Sequence, residues 1–222
     1  MKKNFFLWIL LFVFLSTYNL QEKKDSNSGF FSIKNILIEG IKYSNKEKLE
    51  KNLNIIKNKN LIFLKNSDFD ETIENIDFIN SLEIKKIYPN KIKITVIEDF
   101  PIGVYLDSKG EKYILLENNK IIKNKNYQFE DLPNVYGDGA NEKFSNFYSN
   151  LKKTELNLEL VKQFIYHSIN RWDLQLKDGK LIKLPPENYE KSVTKFLEIY
   201  EKSTFKKFKV YDFRIENELI MR

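Results

Sequence analysis

The chain has 222 residues, with 37 Lys and Arg against 31 Asp and Glu. The formal charge of +6 is carried by interleaved signs rather than by a basic block, which argues for a solvated surface and against a nucleic-acid stripe. There is no cysteine and a single histidine, His167, so disulfide frameworks, thiolate metal sites, thiol redox chemistry and His-rich metal constellations are excluded.

The elements begin with a membrane-targeting pattern. Lys2 and Lys3 precede an unbroken apolar run, Phe5, Phe6, Leu7, Trp8, Ile9, Leu10, Leu11, Phe12, Val13, Phe14 and Leu15, and the chain stays uncharged to Leu20. Counted from Asn4, this is about 17 residues, or roughly 25 Å as a helix, the lower limit for a span. No small-x-small cleavage site follows at residues 16–20, which favours a retained anchor over a secretory signal. The N-terminal lysines place residues 1–20, the tail and transmembrane anchor, with the tail in the cytoplasm and the body outside it. Residues 21–30 are polar and turn-prone, as a linker should be.

From residue 31 to 100 the pattern is strand, helix, helix, strand, strand. Phe31 to Glu39 is β-rich and Gly40 ends it. Ser44 or Asn45 caps a helix in which Leu49, Leu53 and Ile56 form one stripe. Ser67 or Asp68 caps a second, with Phe69, Ile73 and Ile76 at the same spacing. Leu82 to Tyr88 and Lys91 to Glu98 are strands joined by Pro89-Asn90, and in the latter Ile92, Ile94 and Val96 alternate with Lys91, Lys93 and Thr95. That alternation marks a sheet with one wet face.

Residues 101–222 read as mainly β. Tyr105-Leu106 and Tyr113 to Leu116 flank the turn Asp107 to Gly110, and Asn118-Asn119 turns the chain into Lys120 to Ile122. Leu132 to Asn141 opens a helix with Phe144, Phe147, Tyr148 and Leu151 on its apolar side. Arg171 to Leu176 and Leu181 to Leu184 pair across Asp178-Gly179, and a helix follows from Asn188 to about Glu201, carrying Tyr189, Val193, Phe196, Leu197 and Tyr200 on one face. Val210 to Ile215 is the last strand. The fold class is α+β: an N-terminal transmembrane helix, a β-α-α-β-β domain, then a mainly antiparallel β domain with flanking helices.

Catalytic signals are weak. Glu98 and Asp99 are strand neighbours that point to opposite faces and cannot share a substrate atom. Gly137-Asp138-Gly139 lacks the Lys and glycine spacing of a phosphate loop and reads as a turn before a helix. His167 has no partner ligand in sequence and Trp172 reads as core. No enzyme activity, cofactor, metal or small-molecule substrate is expected.

Here the residues carry a resemblance. The β-α-α-β-β order closing on Lys86-Ile87-Tyr88-Pro89, Ile92 to Val96, Glu98 and Pro101-Ile102-Gly103-Val104 resembles the POTRA domain of the FtsQ/DivIB cell-division family. Two positions depart from that pattern: Asp77-Phe78-Ile79 stands for a Pro-Trp-Val, and Asp99 for a basic residue. Leu132-Pro133 to Ala140 and Asp212-Phe213-Arg214 are similar to segments of the family's C-terminal domain. The resemblance implies a non-enzymatic divisome scaffold, single-pass in the bacterial inner membrane at the septum, whose final strand docks the small bitopic partners FtsB and FtsL. The matching partner-binding positions are Tyr211, Phe213, Arg214, Ile215 and Leu219, on an edge that would accept a partner's strand through main-chain hydrogen bonds. Two alternatives stay open: a secreted or periplasmic cell-wall-associated protein, and a POTRA-bearing transport factor, which should continue into a long barrel-forming series of strands.

Overall fold

The computed structural model describes residues 2–16, 29–74, 76–124, 127–200, 202, 204, 207–215 and 218–222. Most of the expected linker, and the last four residues of the expected anchor, lie outside them. The apolar run forms helix α1, Lys2–Ser16, whose side chains from Trp8 to Leu15 are exposed. Its 15 residues rise about 22 Å, and among the described residues no helix is long and apolar enough to cross a membrane.

The next unit is a three-stranded sheet under two helical segments. Strand β1 is Asn35–Glu39, helix α2 is Lys46–Leu53 with a 3-10 turn at Asn54–Ile56, and a second 3-10 turn at Asn66–Phe69 runs into helix α3, Asp70–Glu74. Strands β2, Ile79–Ile87, and β3, Lys91–Glu98, complete it in the order β1-β3-β2. β3 is central, parallel to β1 and antiparallel to β2. Its Ile92, Ile94 and Val96 are buried under Leu49, Leu53, Ile56, Phe69 and Ile76, so the alternating face and the two helical stripes meet as the periodicity requires. Asn45 caps α2, accepting the Lys48 N–H at 2.8 Å.

Three boundaries differ from the sequence expectation. The strand expected from Phe31 begins only at Asn35, because residues 31–33 pair with the 57–61 loop: the Ile33 N–H donates to the Lys59 carbonyl and the Leu61 N–H to the Phe31 carbonyl. The second helix is one turn long and starts as a 3-10 turn, since the Asp68 carboxylate folds back to accept the Lys65 N–H at 2.8 Å. β2 starts at Ile79 rather than Leu82.

Glu98, at the end of β3, closes this unit. Its carboxylate accepts the backbone N–H groups of Lys42 and Tyr43, each at 2.9 Å, and of Ser44 at 2.7 Å, fixing the loop that leads into α2. Burial pushes this carboxyl up, but the contacts from Ser44, Tyr43 and Lys42 together outweigh it and hold the group below the ordinary glutamate value of 4.5. Its stabilising contribution is therefore complete above that value and lost as pH falls through the lower, folded one. Glu98→Gln is expected to cost about 1 kcal/mol at neutral pH and progressively less in acid. Urea unfolding of both proteins across that range checks it; a difference independent of pH would remove the carboxylate from the explanation.

The C-terminal unit is one nine-stranded sheet: β4 Pro101–Leu106, β5 Lys112–Leu116, β6 Ile121–Lys123, β7 Asn134–Tyr136, β8 Val161–His167, β9 Arg171–Leu176, β10 Leu181–Lys183, β11 Val210–Asp212 and β12 Ile220–Met221. Their order is β12-β11-β10-β9-β8-β7-β4-β5-β6. The hairpins β4–β5, β5–β6, β8–β9 and β9–β10 are antiparallel, while β4–β7, with β5 and β6 intervening in the chain, is parallel, as are β7–β8 and β10–β11. A parallel pair needs a crossover, and helices α4, Ala140–Leu151, and α5, Tyr189–Tyr200, supply one each. Both cover one sheet face, where Phe144, Phe147, Leu151, Val193 and Phe196 join Phe164, Trp172, Leu174 and Tyr211 in one core. Trp172 is core, stacked on Phe147 at 4.7 Å.

The two units share an aromatic joint. Phe78, fully buried with φ of 70°, packs with Ile114, Leu116 and Ile122 of the large sheet, against Tyr43, Tyr127 and Phe129. A bulky residue in the left-handed region costs roughly 1–2 kcal/mol, which burial of a whole phenyl ring offsets. Hydrogen bonds rim the cluster: Asn118 Nδ2 donates to Asp99 at 2.8 Å and the Tyr127 hydroxyl to Asp77 at 3.1 Å. Asp99 and Glu98 thus serve opposite sides of the chain.

Candidate functional site

Among the described residues four strands lie at sheet edges, β1 and β2 in the small sheet and β6 and β12 in the large one, and β2 carries Lys85 and Lys86. β6 is flanked by Lys120 and Lys123 and faces a groove shared with Lys48, Glu74 and Asp77 of the smaller unit. β1, at one edge of the small sheet, borders a groove beside α2 with four lysines along it. At the far end of the large sheet β12 pairs on one side only among the described residues, and it lies where the sequence placed its docking residues.

The sequence expectation of an open strand over Val210 to Ile215 requires correction. β11 ends at Asp212 and is interior: it lies parallel to β10 and antiparallel to β12, with Tyr211 opposite Met221 and Asp212 opposite Ile220. Tyr211 is fully buried and meets Phe196 edge to face at 5.0 Å; Phe213 is buried beside it. The last backbone contact toward β10 is the Phe213 N–H donating to the Lys183 carbonyl at 2.9 Å. Beyond it, Arg214 folds back on Asp212, its Nε donating to Oδ1 at 2.8 Å and its Nη2 to Oδ2 at 2.6 Å. That guanidinium, working against burial, holds the Asp212 carboxyl below its usual range. Ile215 is 52% exposed and outside any strand.

The backbone of β12 has a defined sidedness. The Arg222 N–H donates to the Val210 carbonyl at 3.1 Å and the Val210 N–H to the Arg222 carbonyl at 3.0 Å, a pair that exchanges both bonds. In an antiparallel ladder the next residue points both of its groups the other way, so Met221 presents its N–H and C=O to the open edge. Its side chain and that of Leu219 pack back on the core. Near the start of β12 lies a groove lined by Pro185, Pro186, Glu187, Lys191, Lys195, Arg214, Ile215 and Glu218.

Of the residues singled out from sequence, Arg214 and Ile215 therefore share a groove wall, Leu219 leads into the edge strand, and Tyr211 and Phe213 lie beneath as core. Sequence reasoning missed β12 and the α5 lysines. A signal was present: the polar Glu216-Asn217-Glu218 followed by Leu219-Ile220-Met221 has the composition of a turn and a short strand.

His167 and the neighbouring ions lie on the sheet face away from the helices. Its Nε2 is 2.9 Å from Asp173 Oδ2, and Arg171 Nε stands 3.6 Å from Asp173 Oδ1. Among the described residues no group of three His, Cys, Asp or Glu side chains is placed to hold a metal ion.

Comparison with known proteins covers most of the chain. The family model "POTRA domain, FtsQ-type" matches residues 31–98, and "Cell division protein FtsQ/DivIB, C-terminal" matches residues 104–214. The chain is 26% identical over 191 residues to the cell division protein FtsQ of Rickettsia bellii (strain RML369-C), covering 85% of this chain and 71% of that one. It has the same identity and coverage to the FtsQ of Rickettsia typhi (strain ATCC VR-144 / Wilmington). To the FtsQ of Rhizobium meliloti (strain 1021) it is 21% identical over 164 residues, 74% of this chain and 53% of that one.

Proposed function

Because the chain belongs to the FtsQ/DivIB family of bacterial cell-division proteins, we propose that it is a non-enzymatic divisome scaffold that adds a partner's strand to the open edge of β12. The partner is an FtsB-like bitopic division protein, with an FtsL-like protein bound through it, and the assembly links the chain to septal wall synthesis. The carrying observation is the outward N–H and C=O of Met221 at the end of a nine-stranded sheet: an unpaired edge binds through main-chain bonds, while the adjoining groove supplies selectivity. That groove carries both signs, Lys191 and Lys195 with Glu187 and Glu218, so it suits a partner segment of mixed charge.

The same reading places α1 in the inner membrane, with the body in the periplasm. Support comes from its exposed apolar surface, which covers Trp8 to Leu15, the two lysines before it and the absence of a small-x-small cleavage pattern after it. We take residues 31–100 as the POTRA-like domain and residues 101–222 as the β domain.

The test is purification of the full-length chain from membranes. The expected result is an intact N-terminus with the small bitopic partner co-purifying, and a reporter fused after Arg222 active only in the periplasm. A soluble protein shortened by about 20 residues would overturn the anchor; an intact membrane protein without the partner would overturn the docking role.

A further inference from the structure

The end of the small unit farthest from the aromatic joint has an uneven composition. Three segments meet there. Residues 31–33 bond to the 57–61 loop, the Lys34 N–H donates to the Asn90 carbonyl at 2.9 Å, and Lys86 Nζ donates to the carbonyls of Ile62 and Leu64 at 3.2 and 2.7 Å. Phe30 meets Phe31 edge to face, and Phe31 meets Tyr88 in the same way. Phe30, Ile62, Phe63 and Tyr88 are between 43% and 75% exposed. Segments 29–34, 57–66 and 88–91 together carry five lysines and no acidic residue. Asp68 lies 3.6 Å from Lys59, and Glu47 and Glu50 of α2 line one groove with Lys34, Lys57 and Lys91.

Over most of the chain the two signs are mixed, although residues 202–209 also carry four lysines and no acidic residue. Aromatic and aliphatic side chains ringed by lysine ammonium groups suit a bilayer interface, where rings settle at headgroup depth and lysines meet lipid phosphates. The chain enters the body at Gly29 and Phe30, within this patch. Residues 17–28, between α1 and the patch, can span at most about 42 Å, so an anchored α1 keeps the patch near one leaflet at high effective concentration.

We propose that this tip rests on the anionic outer surface of the same membrane, inserting Phe30, Ile62, Phe63 and Tyr88 among the headgroups while Lys34, Lys57 and Lys65 contact lipid phosphate. The proposal rests on the anchor reading above. It makes the body a two-point attachment with a fixed face toward the bilayer rather than a free-swinging domain.

The chain has no cysteine, so single-cysteine variants of the full-length protein can carry an environment-sensitive fluorophore at Phe63→Cys, Phe12→Cys or, as a distal control on α4, Lys143→Cys. These are placed in nanodiscs of equal parts phosphatidylglycerol and phosphatidylcholine, with doxyl-labelled lipid as quencher. Labels at 12 and 63 are expected to be quenched and the label at 143 not. Pure phosphatidylcholine, or Lys57→Glu with Lys65→Glu, is expected to reduce the lipid-contacting fraction at 63. Loss of the two lysines alone should weaken contact about thirtyfold, since each basic residue near an anionic surface is worth about fivefold. Quenching at 12 with a solvent-exposed label at 63 overturns the proposal and leaves the anchor standing. Quenching at 63 that survives the charge reversal overturns the anionic-surface assignment, and an unquenched label at 12 removes the anchor and the proposal with it.

Discussion

Met221→Pro is expected to release the docked partner while the chain stays folded. The Arg222 and Val210 backbones exchange both of their hydrogen bonds, so Met221 contributes nothing to the β11–β12 ladder through its own N–H. Proline there removes an outward donor, and its ring obstructs the approaching strand. One lost bond plus that obstruction should weaken partner affinity by about ten- to a hundredfold. Met221→Leu keeps both backbone groups and an apolar side chain against the core, and should bind nearly as well as the parent protein. Arg222→Pro is the contrasting variant, because it deletes the N–H that holds β12 to β11 and should lower binding and local protection together. Ile215→Pro, outside the strand, should leave the edge intact. Titration with the purified FtsB-like partner, beside thermal unfolding of each variant, separates these outcomes; full affinity in a folded Met221→Pro protein would falsify backbone docking at β12.

The second large effect lies in the small unit. Ile94 is fully buried on the central strand, paired with Ile38 on one side and Ile84 on the other, with the α2 and α3 stripes above it. Ile94→Asp places a carboxylate there without a partner and is expected to cost about 3–5 kcal/mol, enough to unfold that unit. Lys93, one residue away, faces solvent and pairs with Glu39 at 2.5 Å. Lys93→Gln removes an exposed ion pair worth about 1 kcal/mol or less. Urea denaturation of the two variants followed by circular dichroism decides the matter, and matching midpoints would mean that the two strand faces are exchanged.

The small unit was legible because its signals are long and mutually consistent: eight residues of strict alternation in β3 and two helical stripes that need that face. In the large sheet, the hairpins at Asp107 to Gly110 and Asp178-Gly179 announced themselves by turn chemistry. β7 was missed because three residues, Asn134 to Tyr136, are too few to show a period. In β8 a register shift between Val161 and Gln163 breaks the alternation a strand is recognised by. The open sheet edge was displaced by one strand for a related reason. Tyr211, Phe213 and Ile215 alternate well enough to suggest six residues of strand, but Arg214 returns to Asp212 and ends it. The burial of Phe78 was not readable at all, because its partners Ile114, Leu116 and Ile122 come from another sheet and no local pattern connects them.

The position of the central strand sets a requirement on whatever docks at the distal sheet. β3 runs for eight residues from the lysine-rich tip to the aromatic joint, about 26 Å at strand rise. With the tip on the bilayer, the large sheet begins only beyond that height. A partner rooted in the same membrane must therefore climb at least as far before its own strand can reach β12, which takes about 17 residues of continuous helix. If the proposed membrane contact and β12 docking both hold, a partner stalk shortened by two or three turns would fall below the edge however well its strand matched it, and the small unit would act as a ruler for stalk length.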